Sequence, residues 1–279
     1  MNKITIEDIP IKGKRVFIRA DFNVPLDSDL SITDDTRIRS TLPTINYAID
    51  AGAKVIIGSH LDRPEGVDPR LSLTRVAKRL GRLLGKEVLF SEETIGPQAQ
   101  KRVERLAAGD VLLLENLRFH PGEMKNDLVF AKALADLGVD VYINDAFGAA
   151  HRSHASVTGI TQFVKECGCG FLMKKEINCL VRAVENPARP FVAILGGEKV
   201  SGKIGVIENL GKRVNKVIIG GGMAFTFLKA MGIDVGNSLV EDSMLSFARD
   251  IREHAIAQGV KFYLPVDCVV ASEMNASAE

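Results

Sequence analysis

The chain has 279 residues, of which 46% are hydrophobic and 25% charged, and its formal net charge is +1. This length favours one large or two medium domains. The near-neutral charge excludes a globally basic nucleic-acid-binding surface and a membrane-binding one, so any basic site must be local. No apolar run approaches the ~20 residues of a membrane span, and the N-terminus lacks a signal-peptide core. We therefore expect a cytoplasmic protein without nucleic-acid or membrane partners.

Short β-branched segments alternate with longer amphipathic segments along the whole chain. Strands are predicted to begin near Lys14, Lys54, Glu87, Val111, Asp140, Phe191, Lys216 and Lys261. Helices are predicted near residues 37–50, 72–84, 97–106, 128–137, 203–211 and 241–258. This alternation predicts an α/β fold whose parallel sheets are covered by helices on both faces. Ligands of such sheets bind beyond the carboxyl ends of the strands.

One long amphipathic helix is predicted within residues 168–190. Its apolar positions, spaced to fall on one face, are Met173, Ile177, Leu180, Val181 and Val184. Pro187 ends the helix, because proline disfavours a helical conformation in the residue before it and lacks an amide hydrogen. Five strands are predicted before this helix and at least three after it. From the pattern alone, the helix is either one more cover on a sheet or a connector between two different sites.

The predicted ends of the N-terminal strands carry polar and basic residues. Asp21 and Asn23 follow the first strand, and Arg37 lies near the start of the first helix. Arginines and histidines follow three further strands: His60, Arg63, Arg118, His120, His151, Arg152 and His154. A single arginine after a strand is usually a solvated surface residue. Several converging guanidinium groups, however, bind carboxylate and phosphate oxygens in pairs, which predicts a pocket for a phosphorylated acid.

The cysteines and histidines do not form a recognisable metal-binding pattern. Cys167, Cys169, Cys179 and Cys268 lack paired CxxC motifs, and free thiols are the favoured interpretation. The histidines could be metal ligands or a general base, but no HExxH motif or suitably spaced acidic cluster accompanies them. We therefore predict no protein-bound metal among these residues.

Glycine and lysine dominate the C-terminal strand ends. Gly197 to Lys203 fits the phosphate-cradling pattern GxxxxGK between a strand and a helix, but Ile204 stands where a serine or threonine should ligate magnesium. Lys199 and Lys203, four residues apart beside a glycine-rich turn, suit a polyphosphate. A second glycine cluster, Gly220, Gly221 and Gly222, would let a base or a phosphate approach the backbone closely.

Together these segments resemble the phosphoglycerate kinase family. The matching segments stand in the family's order: RADFNVP, SHLDRP, LLENLRFHPGE, NDAFGAAHRSHAS, GFLMKKE, AILGGEKVSGKI, IIGGGMAFTFLK and LPVDCVVA. The resemblance implies two Rossmann-like lobes that close about a hinge, joined by a long interdomain helix. Implied boundaries are 1–167 for a phosphoglycerate-binding domain, 168–186 for the helix and 187–279 for a nucleotide-binding domain.

The implied activity is reversible phosphoryl transfer between ATP and 3-phosphoglycerate, giving 1,3-bisphosphoglycerate and ADP with magnesium, by a monomer acting in glycolysis and gluconeogenesis. The implied phosphoglycerate-binding residues are Asp21, Asn23, Arg37, His60, Arg63, Arg118, His151 and Arg152. The implied nucleotide-binding residues are Gly197, Lys199, Lys203, Gly220, Gly221 and Gly222. Arg37 and Lys199 would stabilise the transferring phosphoryl group, since positioning and cationic stabilisation carry such reactions.

The sequence departs from the family pattern at several points. Asp62 replaces a glycine and would place a carboxylate beside the anion site; Glu198 replaces a small residue, and Gly202 replaces an aspartate. The sequence stops after ASEMNASAE, before the segment expected to carry the magnesium ligand. We therefore expect a fragment with an incomplete second lobe and uncovered apolar surface on its sheet. The alternatives are a non-catalytic phosphoglycerate-binding fragment and an unrelated P-loop ATPase.

Overall fold

The computed structural model describes residues 3–211 and 213–273 and divides into two compact units. The first unit ends at Cys179 and the second begins at Leu180, so the division falls inside a long helix. The boundaries implied by the resemblance, at 167/168 and 186/187, stay a prediction.

The first unit alternates strands and helices from its start. Its strands are β1 (Arg15–Arg19), β2 (Lys54–Gly58), β3 (Leu89–Phe90), β4 (Val111–Leu113), β5 (Val141–Asn144) and β6 (Glu166–Cys169). Its helices are α1 (Thr36–Asp50), α2 (Thr74–Leu84), α3 (Pro97–Glu104) and α4 (Leu128–Ala135), and α5 (Phe171–Glu185) begins here. The strands form one parallel sheet in the order β3-β4-β2-β1-β5-β6.

The prediction of five strands before the long helix is wrong by one, because β6 was missed. Its sequence, Glu-Cys-Gly-Cys, has no β-branched residue and no apolar alternation, so it carries none of the usual strand signals. It pairs with β5 over Val141↔Glu166 to Asn144↔Cys169. Pairing with β5, and not local strand propensity, therefore makes β6 a strand.

Both faces of the first sheet are buried, as the nearly continuous apolar strands predict. Phe17, Ile56 and Leu112 belong to the core on one face, and Ile18 and Ile57 belong to the core on the other. Successive residues of a strand point to opposite faces, so a strand covered on both sides has no position for an exposed residue. The ends of these strands are thus fixed by two cores at once.

Helix α5 begins at Phe171 and ends at Glu185, two residues before Pro187, which agrees with the predicted stop. Its first turn is anchored to α1 and to the loop after β5: Phe171 N donates to Thr44 Oγ1 over 2.9 Å, and Met173 N donates to Asp145 Oδ1 over 3.1 Å. The predicted apolar face is only partly buried. Met173 is buried, whereas Leu180 is 50% exposed.

The second unit contains strands β7 (Val192–Gly196), β8 (Lys216–Gly220) and β9 (Lys261–Tyr263), with helices α6 (Ile204–Gly211), α7 (Met223–Ala230) and α8 (Leu245–Ala257). The three strands form a parallel sheet in chain order. The sequence pattern does not predict α7, whose apolar residues directly follow three glycines. No helix of the described residues is both long and apolar enough to cross a membrane.

One face of the second sheet packs into a core, and the other carries exposed apolar side chains. Ala193, Val217 and Ile219 join a buried cluster with Phe227 of α7 and Ala248 of α8. The alternate positions are partly or largely exposed: Val192, Ile194, Ile218 and Tyr263. The uncovered apolar surface expected on this sheet is therefore present.

Candidate functional site

The loop after β1 and the start of α1 meet through a charged pair. Arg37 Nη1 lies 2.6 Å from Asp21 Oδ2, with the Asp21 side chain 10% exposed and that of Arg37 51% exposed. The loop after β5 packs directly on this pair, because a Cβ added at Gly148 would lie only 2.6 Å from Asp21 Oδ2. A side chain at position 148 would therefore displace the carboxylate of Asp21.

The loops after β1, β2 and β4 are joined through Asp62. Its backbone amide donates to Asn23 Oδ1 over 2.8 Å, and its carbonyl accepts from Arg118 Nη1 over 2.5 Å. Asp62 adopts a left-handed conformation with φ of 55°, which glycine adopts most easily and aspartate tolerates. Its Oδ1 accepts from Arg63 N over 2.9 Å, so the added carboxylate caps its own turn.

Asn116 holds the loops after β2 and β4 in place and was not assigned by sequence reasoning. Its side chain is fully buried; Nδ2 donates to the carbonyls of Leu61 and Leu71 over 2.8 and 3.1 Å. Its Oδ1 accepts from the amides of Leu61 and Arg118 over 3.2 and 3.1 Å. The only signal in the sequence is an asparagine just beyond a buried strand.

His60 is buried between a cation and a carboxylate. Its Nδ1 lies 3.3 Å from Arg19 Nη2, and its Nε2 lies 3.9 Å from Asp21 Oδ1. Burial, followed by the charges of Arg19 and Arg118, lowers the pKa of His60 to about 2. The imidazole is therefore neutral at physiological pH. Sequence reasoning missed Arg19, which is fully buried at the end of β1.

Arg118 is a buried cation among other cations. It is 6% exposed, and its Nε has no hydrogen-bond partner among the described residues. Burial, then the charges of Arg152 and Arg19, lower the pKa of Arg118; the Glu123 carboxylate acts in the opposite direction, and Arg63 acts in the same direction as the other arginines. These guanidinium groups therefore lie close enough to repel one another. We call Asp21, Asn23, Arg37, His60, Arg63, Arg118 and Arg152 the basic pocket.

The other histidines have different environments. His151 is exposed next to Arg152 in the chain. His120 stacks on Phe130 with ring centroids 3.9 Å apart and accepts from Gly122 N, which is a packing role. His154 is buried, and its Nδ1 has no hydrogen-bond partner among the described residues.

In the second unit, two glycine segments pack backbone to backbone where β7 and β8 end at the paired residues Gly196 and Gly220. A Cβ added at Gly221, whose φ is 69°, would lie 3.0 Å from both N and O of Gly197. Met223 N donates to Gly197 O over 2.9 Å. We call residues 196–198 and 220–222 the glycine-rich turn pair.

The turn after Gly197 differs from a P-loop. Ser201–Lys203 forms a 3-10 turn before α6, and the carboxylate of Glu241 accepts from Ser201 N over 3.0 Å and from Ser201 Oγ over 2.6 Å. In a P-loop such amides face a phosphate instead. The P-loop ATPase interpretation is therefore not supported. Lys199, Lys203 and Glu198 are all exposed.

Comparison with known proteins decides the family. The family model described as phosphoglycerate kinase matches residues 6–279. Phosphoglycerate kinase of Geobacter metallireducens is 57% identical over 270 residues, which are 96% of this chain and 68% of that relative. The structure of phosphoglycerate kinase from Coxiella burnetii aligns with a TM-score of 0.85 at 40% identity, over 100% of this chain and 70% of that one. The crystal structure of phosphoglycerate kinase from Pyrococcus horikoshii OT3 aligns with a TM-score of 0.82 at 33% identity, over 94% of this chain and 67% of that one.

The chain belongs to the phosphoglycerate kinase family. Its function is that of a kinase, a phosphotransferase, and the predicted α/β fold with parallel sheets flanked by helices is confirmed. It spans about two thirds of the length of the phosphoglycerate kinases it matches. Within residues 3–211 and 213–273, no group of three or more histidine, cysteine, aspartate or glutamate side chains is placed to hold a metal ion.

Proposed function

We propose that the basic pocket binds 3-phosphoglycerate, and 1,3-bisphosphoglycerate in the reverse direction. Arg118 carries this proposal, because it is buried, has an Nε without a hydrogen-bond partner among the described residues and lies near three other arginines. A buried charge is costly unless it is paired, and an anion that enters the pocket supplies the missing partner. The planar fork of arginine suits both the phosphate and the carboxylate of such a ligand.

Within this pocket, the residues have complementary roles. Arg63, Arg118 and Arg152 contribute cationic groups, and exposed His151 directly precedes Arg152 in the chain. Asn23 and His60 contribute neutral polar groups. The Asp21 carboxylate fixes Arg37, which we assign to the transferring phosphoryl group because half of its side chain remains exposed.

For ATP and ADP we propose the glycine-rich turn pair of the second unit. Gly197, Gly220, Gly221 and Gly222 present backbone without side chains, which permits close approach of a nucleotide. Lys199 and Lys203 are exposed at the same turn and provide cations for the phosphates, with Lys199 the candidate for following the transferred charge. Magnesium would accompany the bound nucleotide, as the family resemblance implies.

The proposed setting is a cytoplasmic, monomeric enzyme of glycolysis and gluconeogenesis. A second candidate is a phosphoglycerate-binding protein without turnover. The observation that favours this second candidate is that every residue of the basic pocket lies in the first unit. A coupled assay of ATP turnover in the presence of 3-phosphoglycerate distinguishes the two candidates, because only the kinase turns over ATP.

Calorimetry tests the basic pocket directly. We expect the chain to bind 3-phosphoglycerate but not glycerate, which lacks the phosphate. Arg118→Ala should weaken this binding about 100-fold, because the charge-assisted hydrogen bonds between the Arg118 guanidinium and the desolvated ligand are lost. Arg39→Ala is the matched control, because Arg39 pairs with Asp35 on the exposed surface of α1. Equal affinity of the Arg118 variant and the unmodified chain would contradict the assignment.

A further inference from the structure

A buried carboxylate lies behind the basic pocket and has no role in the function proposed above. Glu123 is fully buried, and both of its oxygens bind one serine: Oε2 accepts from Ser156 N over 2.9 Å and Oε1 accepts from Ser156 Oγ over 2.6 Å. Because the hydroxyl proton is given to Glu123, the lone pairs of Ser156 Oγ are left to accept from another donor.

That donor is Arg19. Its Nε donates to Ser156 Oγ over 2.7 Å, its Nη1 donates to Ala20 O, and its Nη2 lies 3.7 Å from Glu123 Oε1. The guanidinium is fully buried, so water does not compete for these positions. Its plane is therefore fixed on three sides, and Nη2 is directed at His60 Nδ1, 3.3 Å away.

This contact fixes where the imidazole proton is carried. A guanidinium has only donors, so His60 Nδ1 must act as the acceptor and the single ring proton must lie on Nε2. The groups around the ring are Arg19, Arg118, Arg152, His154 and Asp21. The nearest carboxylate oxygen, Asp21 Oδ1, is 3.9 Å from Nε2, which is too far for a hydrogen bond.

We propose that Glu123 and Ser156 act through Arg19 as positioning residues for the imidazole of the basic pocket. They hold His60 as a neutral ring that carries its proton on Nε2. His60 then serves a bound anion as a hydrogen-bond donor and not as a cation. This part of the inference rests on the proposed binding of 3-phosphoglycerate, whereas the tautomer does not.

The tautomer is measured on the full chain without ligand, from the ¹⁵N shifts of the His60 ring. We expect Nδ1 to be unprotonated and Nε2 protonated throughout pH 5–8. A proton on Nδ1, or a cationic ring, would overturn the inference whatever the variants do.

Ser156→Ala tests the relay, with Ser91→Ala as the matched control. Ser91 is also fully buried and hydrogen-bonded, but through Glu93 and away from the pocket. In the Ser156 variant we expect both ring tautomers and about tenfold weaker binding of 3-phosphoglycerate by calorimetry. The control should keep the wild-type His60 spectrum and affinity.

Ser156→Thr separates positioning from packing. Threonine restores the hydroxyl but adds a methyl group at a fully buried position. Positioning predicts that the threonine variant recovers the spectrum and the affinity, whereas a packing role makes it worse than alanine. If Ser156→Ala does not fold, the wild-type tautomer and the threonine variant decide.

The experiments distinguish failure of the proposed function from failure of the positioning inference. Lack of 3-phosphoglycerate binding by the unmodified chain overturns the proposed function, while the ligand-free ¹⁵N spectra still decide the positioning inference. Binding by the unmodified chain together with an unchanged His60 spectrum in Ser156→Ala overturns only the positioning inference.

Discussion

The two candidate ligand sites of this chain are built in opposite ways. The basic pocket uses side chains that buried hydrogen bonds hold in place, such as His60 against Arg19 and Arg118 against the carbonyl of Asp62. The glycine-rich turn pair uses backbone, with Gly221 packed on Gly197. Preorganised side chains select the shape and charge of a ligand, whereas bare backbone mainly permits close approach. Substitutions should therefore change affinity in the first site and stability in the second.

The largest effect is expected for Gly148→Ala, which places a Cβ 2.6 Å from Asp21 Oδ2. The carboxylate must shift, which disturbs its ion pair with Arg37, so we expect binding of 3-phosphoglycerate to weaken about 100-fold. Calorimetry measures the loss. Gly66→Ala is the control, because a Cβ there meets nothing within 4 Å. An unchanged affinity of the Gly148 variant would contradict the proposal that the basic pocket depends on side chains held in fixed positions.

The second prediction concerns a buried charge near the start of α5. Burial raises the pKa of Asp145 to about 6 from the ordinary 3.8, so the folded chain binds this proton more tightly than the unfolded chain. The resulting stability is complete below about pH 3.8 and is lost as the pH rises through about 6. The difference corresponds to about 3 kcal/mol.

Asp145→Asn should remove this dependence. Urea unfolding between pH 5 and pH 8 should show the wild type losing free energy of unfolding relative to the variant. Asp136→Asn controls for the loss of an exposed carboxylate, because Asp136 pairs with Lys132 at the surface. Parallel curves for the wild type and Asp145→Asn would show that the charge of this group is not destabilising.

The glycine-rich turn pair supplies the third prediction. Gly221→Ala adds a Cβ 3.0 Å from the backbone of Gly197 at a φ of 69°, so we expect a loss of about 2 kcal/mol in unfolding free energy. Gly220→Ala, with nothing within 4 Å, should cost less than about 1 kcal/mol. Chemical denaturation compares the two variants. Equal losses would show that close backbone packing does not define this site.

The smallest effect is expected on the open face of the second sheet. Ile194 is 74% exposed beside other apolar side chains, so Ile194→Thr should change stability by less than about 0.5 kcal/mol. The same change should reduce binding of the dye ANS, which reports contiguous apolar surface. Val129→Thr, at an exposed residue of α4, is the control. Equal dye binding by both variants would show that the open face is not a contiguous apolar surface.

Sequence patterning located most of the strands and the loops that follow them, because strands of both sheets are rich in apolar residues, whether one face or both faces are buried. It failed at β6, whose pairing with β5 compensates for a weak local preference. It also passed over Arg19, Asn116 and Glu123. The hydrogen-bond partners of these side chains lie far away in the chain, as with Arg19 and Ser156, which are 137 residues apart. Such pairs become visible only when the sheet brings the loops together.

Asn116 has a consequence for anyone who exchanges loops between relatives of this chain. One amide group hydrogen-bonds to the backbone at Leu61, Leu71 and Arg118, so a single side chain connects the loop after β2 to the loop after β4. A graft that imports a foreign segment 61–71 without the geometry that meets this amide would break three of the four hydrogen bonds of this fully buried group, those to Leu61 N, Leu61 O and Leu71 O. The transferable unit is therefore the asparagine together with both loops it ties.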